Sequence, residues 1–340
     1  MECNAVFEGG GIRGIAHVGA ASVLQQAGYH MRYFAGSSAG AIVASLLAAG
    51  YTADELRPIM QELDFTAFLH KRGVARLGAP GKMASLFTRF GIYDADLFED
   101  WLSDLLAKRG VRTFGTLSLP AVREGNLRWP LQVTACDIYD QRLLILPRDL
   151  ADFGIDPNLY PVAKAVRMSM SIPIFFKPFP LKDKKGRVHL IVDGSLLSSY
   201  PVWLFERDCL SSSLPTVGFD FVGDRSLSGV CKSKLWPDFL CYLSLLVSTA
   251  MDAVDKQQAT LLQEDEQGAV KIPVIVETNG RRRHVSPTDF DLTQDEKKQL
   301  FQNGETAARR FLARQRLAQT DKRASTVLPA PRCPLGRTGT

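Results

Sequence analysis

The stretch CNAVFEGGGIRGIAHVGAASVLQQAGYHMRYFAGSSAGAIVASLLAAG, residues 3–50, decides the fold. Cys3–Glu8 reads as a short buried strand, followed by a glycine cluster and a helical stretch from Gly14 to Ala27 with Ile15, Val18, Ser22 and Val23 on one side. His30–Ala35 reads as a second strand that ends at Gly36. Ala39–Ala49 is again helical in composition and is stopped by Gly50. Strand, helix, strand, helix in so short a span is the pattern of a parallel α/β sheet, because each parallel neighbour needs a crossover that also covers a face.

Outward from this stretch, Thr52–Leu63 and Asp94–Lys108 read as helices, and Lys71–Arg89, rich in Gly, Ala, Arg and Lys, as a mobile surface loop. Strands are expected at Leu131–Ala135, Leu143–Leu146, Val188–Val192, Thr216–Phe221 and Ile272–Val276. Helices are expected at Pro157–Met170, Asp238–Asp255 and Thr293–Arg316, the last opening with the capping box Thr293-x-x-Glu296. The chain divides into one domain over 1–318 and a disordered basic tail over 319–340, where Pro, Arg, Thr and Gly dominate.

With 340 residues, 46% hydrophobic and 23% charged, the chain can bury a large core. The longest apolar run, Phe239 to Met251, is broken by Tyr242 and Ser244, and falls well short of the ~20 residues that span a bilayer. The N-terminus carries no export signal, so a cytoplasmic location is expected, with at most a peripheral hold on membranes. Six cysteines, Cys3, Cys136, Cys209, Cys231, Cys241 and Cys333, have no metal-binding spacing and read as buried thiols. From Phe301 onward eight Lys or Arg face two acids, more than the whole net charge of +5. By charge alone such an end attracts anionic headgroups and nucleic acid equally, or is simply a solvated helix face and tail.

Gly36-Ser37-Ser38-Ala39-Gly40 matches G-x-S-x-G between an expected strand and an expected helix, the setting in which a sharp turn lifts a serine hydroxyl toward substrate. Gly36 and Gly40 leave that turn room, and Ala39 opens the helix. Gly9-Gly10-Gly11-Ile12-Arg13-Gly14 also follows a strand and opens a helix, so its N–H groups form a site for negative charge. Gly9, Gly11 and Gly14 satisfy the dinucleotide pattern G-x-G-x-x-G, but no Asp or Glu stands between Gly9 and Ala53 to take a ribose hydroxyl. The alternatives are an oxyanion hole built on the Gly10 and Gly11 N–H groups, or a loop that serves tight packing. Asp193-Gly194-Ser195 ends an apolar strand, where an α/β sheet presents ligand-binding groups.

This order of motifs, Gly-Gly-Gly-x-Arg-Gly, then Gly-x-Ser-x-Gly, then Asp-Gly, resembles the patatin-like phospholipase family, as does Ala165–Pro178 before the Asp. The resemblance covers roughly residues 3–205 and implies a three-layer α/β/α fold with a central, mostly parallel sheet. It implies a lipid acyl hydrolase of the phospholipase A or lysophospholipase type, in which Ser38 is the nucleophile and Asp193 its general base. The oxyanion loop would be Gly9, Gly10, Gly11, Arg13 and Gly14, the elbow Gly36, Ala39 and Gly40, and the Asp motif Gly194 and Ser195. It implies no cofactor and no metal. The implied partners are a phospholipid or other lipid ester, a transient membrane-surface contact, and an activator or second subunit that controls the activity; no nucleic acid is implied.

Two departures stand out. Ser195 occupies a place usually held by Gly or Ala, and Ser198-Ser199-Tyr200-Pro201 replaces a stretch that often holds an Asn. The rival mechanism is an α/β-hydrolase triad of Ser38, Asp193 and His284, the last read as lying in an exposed basic loop. Met168, Met170, Ile172, Ile174, Phe175 and Phe176 are candidate walls of an acyl pocket or plain core, and the Lys71–Arg89 loop is a candidate lid or membrane-contacting edge.

Overall fold

The computed structural model describes residues 1–68, 90–117, 128–206, 214–222, 249, 268–278 and 280–327. The Lys71–Arg89 loop, nearly all of the Asp238–Asp255 helix and residues 328–340 lie outside the described residues. The elements run β1 Glu2–Phe7, α1 Gly14–Gln26, β2 His30–Gly36, α2 Ala39–Ala48, α3 Ala53–Glu62, β3 Gly91–Tyr93, α4 Asp96–Lys108, β4 Leu131–Asp137 and β5 Arg142–Leu146. They continue with α5 Val162–Ser169, β6 Ile174–Phe176, β7 Phe179–Lys182, β8 Val188–Asp193, α6 Trp203–Glu206, β9 Thr216–Val222, β10 Ala269–Pro273, β11 Ile275–Thr278, β12 Arg281–His284 and α7 Gln294–Val327.

The central sheet has the order β10-β9-β1-β2-β4-β8-β7, with β5 on the other edge of β4. It is parallel from β10 to β4 and antiparallel beyond. Both faces are covered. On β1, Cys3, Ala5 and Phe7 join the large core with α1 and α2, while Val6 joins a smaller core with Tyr33, Ala35, Val202, Leu204 and Phe205. Alternation along a strand sends these two sets to opposite faces, which gives the α/β/α layering the sequence motifs imply.

Local chemistry explains where expected and observed elements part. The Pro157–Met170 helix is two pieces, a 3-10 turn Pro157–Leu159 and α5, because Tyr160 precedes Pro161 and takes an extended conformation. The Ile272–Val276 strand is likewise divided at Pro273, where the chain leaves the edge of the sheet and re-pairs as a hairpin of β11 and β12. The capping box forms, with Thr293 Oγ1 accepting from Glu296 N at 3.2 Å and Glu296 Oε2 accepting from Thr293 N at 3.0 Å. The helix it opens, α7, runs to Val327, past residue 318, where the sequence reading expects the basic tail to begin.

Candidate active site

Ser38 stands where β2 passes into α2, with φ 50° and ψ −122°. Positive φ at a residue with a Cβ costs of order 1–3 kcal/mol and persists only where the surroundings impose it. Here they do. A Cβ on Gly36 would lie 2.5 Å from the backbone of Gly40, and one on Gly40 only 2.1 Å from the Phe7 carbonyl oxygen, so the turn closes against β1 only with both glycines. The Ser38 N–H donates to Ser169 Oγ at 2.8 Å, and Ser169, at the end of α5, is fully buried.

Asp193 reaches this elbow through an exchange of partners along one edge of β4. β2 leaves that edge at the pair Gly36–Val133, and β8 takes it over from Ala135 onward, running antiparallel and ending with Asp193 opposite Ala135. β8 comes in from the opposite direction to β2, and its end meets the elbow because both strands share β4.

The result is a direct hydrogen bond from Ser38 Oγ to Asp193 Oδ2 at 2.6 Å, both residues buried. Asp193 Oδ1 accepts from the Ser195 N–H at 2.8 Å. Burial raises the Asp193 pKa to about 6, against the opposing pull of its hydrogen bonds from Ser38 and Ser195. The Ser195 hydroxyl also stands 3.1 Å from Ser37 Oγ, and a Cβ on Gly9 would fall 2.1 Å from it. Ser195 therefore ties together the Asp motif, the elbow and the glycine loop. Gly194 is required by packing, since its Cβ would sit 2.4 Å from the Thr134 carbonyl oxygen.

In the glycine loop most N–H groups are engaged. Gly9 donates to Ser199 O at 2.8 Å, Ile12 to Pro287 O at 3.2 Å and Arg13 to Gly10 O at 3.2 Å, while Gly14 donates to Gly11 O. Among the described residues the N–H groups of Gly10 and Gly11 have no acceptor, and neither does that of Ala39 at the start of α2. Of the five residues assigned to this loop, Gly10 and Gly11 thus keep donors to offer. Arg13 holds the loop from behind, its Nε donating to Gly10 O at 3.0 Å and its guanidinium lying over the Phe221 ring. Gly14 brings α1 against α2, its missing Cβ 3.3 Å from that of Ala39. Gly11 has φ +56°, and its Cβ would meet the Pro287 carbonyl oxygen at 1.8 Å; at Gly10 a Cβ would enter the Phe221 ring. A bulky residue at either position therefore disturbs packing as well as any donor.

His284 lies on β12, half-buried, and not in an exposed loop. The Ser38 hydroxyl already meets a carboxylate directly, with no imidazole between them. Of the pocket candidates, Met168 and Phe176 are buried, and Met170, Ile172, Ile174 and Phe175 half-buried. Phe175 and Phe176 pack edge-to-face on Phe290, with ring centroids 6.2 and 6.5 Å away. Sequence reasoning passed over Ser169, Pro287 and Phe290. Ser169 lay inside the quoted Ala165–Pro178 block with nothing to single out its hydroxyl, and the other two carry no motif. Among the described residues, metal-ligating atoms converge at Asp137, Asp140 and His189, toward the far end of β4 and β8 from Asp193, where a 2.8 Å hydrogen bond between His189 Nδ1 and Asp137 Oδ2 already closes the group.

The family model described as patatin-like phospholipase matches residues 5–205. The chain is 36% identical over 315 residues to the uncharacterized protein YqhO of Bacillus subtilis (strain 168), covering 92% of this chain and 98% of that protein. Among solved structures it is similar to the type III effector protein ExoU of Pseudomonas aeruginosa, with 16% identity, a TM-score of 0.47, and coverage of 92% of this chain and 53% of that one. It is similar also to VipD from Legionella pneumophila, with 17% identity, a TM-score of 0.46, and coverage of 92% and 67%. The chain thus spans about half the length of ExoU.

Proposed function

Since the chain belongs to the patatin-like phospholipase family, we propose that it is a serine acyl hydrolase that cleaves fatty acyl esters of phospholipids or lysophospholipids through a Ser38–Asp193 dyad. The observation that carries the reading is the 2.6 Å contact between Ser38 Oγ and Asp193 Oδ2 at a strained elbow. In the first half-reaction Ser38 Oγ bonds to the acyl carbon while its proton passes to Asp193 Oδ2. The carbonyl oxygen becomes an oxyanion, and the open N–H groups of Gly10, Gly11 and Ala39 are the candidates to receive it; one such donor is typically worth about 2.7–4 kcal/mol of barrier. Collapse breaks the ester C–O bond, and the leaving alcohol takes the proton from Asp193.

In the second half-reaction Asp193 accepts a proton from water, whose oxygen attacks the acyl carbon, and the fatty acid departs as Ser38 is reprotonated. A carboxylate held near pKa 6 suits both roles, being ionised at neutral pH yet basic enough to accept a proton. The test is incubation with phospholipids, lysophospholipids and short p-nitrophenyl esters, analysed for free fatty acid, together with a serine-reactive phosphonate. Release of fatty acid that Ser38→Ala abolishes, with the phosphonate on Ser38, is the expected result. Labelling of another serine in an active Ser38→Ala protein would overturn the proposal.

A further inference from the structure

Beyond the dyad, two neighbouring hairpins stand past the edge of the sheet that carries Ser38. β4 runs parallel to β2 and continues from Val133, the partner of Gly36, to Asp137. Four residues at ~3.3 Å each put its end roughly 13 Å beyond that level. The β4–β5 turn follows, with Ile138 and Tyr139 exposed at 42% and 58%. Beside it is the β7–β8 turn, where Lys182, Lys184, Lys185, Arg187 and Val188 are all exposed.

The two turns are fastened to each other. Ile138 N donates to Leu190 O at 3.1 Å. Between them sits the buried His189, its Nδ1 at 2.8 Å from Asp137 Oδ2, its Nε2 at 3.6 Å from Asp183 Oδ2, and its ring against Tyr139. Asp137 and Asp183 are thereby turned inward, and Asp183 also accepts from Lys185 N, Arg187 N and Arg187 Nε. What faces outward is cationic and apolar apart from Asp140, whose part-exposed carboxylate lies 3.7 Å from His189 Nδ1. The Lys184 stem lies against Gly154 and Arg187 is held by Asp183, whereas Lys182 and Lys185 make no ion pair among the described residues. Lys182 pairs with Val188 across the hairpin, so an ammonium and an exposed valine share one face.

A rigid pair of tips with flat or branched apolar side chains beside unpaired lysines, on the edge where an ester must enter, is suited to one partner above others. We propose that these two tips are the surface by which the protein docks on an anionic lipid bilayer. Tyr139, Ile138 and Val188 enter the headgroup layer, and Lys182 and Lys185 meet lipid phosphates. This rests on the hydrolase reading for its purpose, and it locates the contact away from the basic terminal helix. Nucleic acid would reward the lysines but gain nothing from the exposed apolar side chains.

The experiment is flotation of the full chain with phosphatidylcholine vesicles that do or do not contain phosphatidylglycerol, at low and high salt. Binding is expected only with the anionic lipid, and weaker in salt. At about fivefold per cation, Lys182→Gln with Lys185→Gln should weaken it roughly 25-fold. Hydrolysis of a soluble short-chain ester should stay unchanged, and Arg309→Gln with Arg310→Gln on α7 should bind like the parent. Tyr139→Trp provides a second signal, a blue shift of emission on adding anionic vesicles. Unchanged binding by the lysine variant, equal loss in the α7 variant, or a DNA duplex that displaces the vesicles would each overturn the proposal. A protein that floats but releases no fatty acid would sink the hydrolase reading alone; one that hydrolyses soluble esters but never floats would sink the docking surface alone.

Discussion

Replacing Asp193 by Asn should abolish hydrolysis and at the same time stabilise the fold at alkaline pH. The carboxyl is fully buried and its pKa is raised from 3.8 to about 6, with burial as the chief cause. The folded state therefore holds this proton more tightly than the unfolded chain does. Stability contributed by the group grows as pH falls through 6 and levels off below 3.8; above 6 the buried carboxylate costs about 3 kcal/mol. Asn carries no charge and escapes that cost, but weakens the hydrogen bonds to Ser38 and Ser195 by about 1 kcal/mol. The net gain at pH 8 is then about 2 kcal/mol, and roughly half of the electrostatic part is left at pH 5. Urea unfolding of both proteins at the two pH values reads the difference directly, since all other titrating groups are shared. A variant that is less stable than the parent at pH 8, or a gap that does not shrink on acidification, would refute the argument that desolvation dominates at Asp193. The same shift predicts that kcat/KM of the parent falls tenfold per pH unit below about 6.

Ser169→Ala removes the acceptor of the Ser38 N–H and should lower kcat by about 10- to 100-fold with little change in KM, the kinetic mark of a positioning group. Ser195→Ala deletes a hydroxyl that helps hold the Asp193 charge, so the acidic limb of the kcat/KM profile should move to higher pH; a limb that stays in place would reduce Ser195 to a packing role. His284→Ala should keep most activity on p-nitrophenyl esters, whereas a triad would lose several orders of magnitude. A His284→Ala protein as inactive as Ser38→Ala, and folded, would make the base an imidazole.

The first fifty residues made the parallel α/β half of the fold legible, because hydrophobic period and glycine placement are local properties that survive into the structure. β1, α1, β2 and α2 fall within a residue or two of their expected bounds. The elbow was readable for the same reason, since only Gly at 36 and 40 admits the turn. Capping chemistry was equally local, at Thr293 and again at Thr52, which caps α3 through Glu55. The breaks at Pro161 and Pro273 were also present in the sequence as proline rules, which apolar periodicity masked.

What tertiary structure alone decided is how distant segments meet. Nothing in Val188–Val192 says that this strand enters antiparallel on the edge of β4 vacated by β2, because a mainly apolar strand has no preference for direction until its neighbours are in place. That choice brings Asp193 to Ser38 across 155 residues of chain and sets Ser195 under the glycine loop. Packing between distant segments likewise sets the Arg13 guanidinium over the Phe221 ring and brings Pro287, by sequence an ordinary turn residue, against Gly11. The residue types of the site were fixed by local backbone demands that a linear pattern records. Their partners were fixed by close packing between segments remote in the chain, where a contact depends on the whole arrangement and no single stretch contains it.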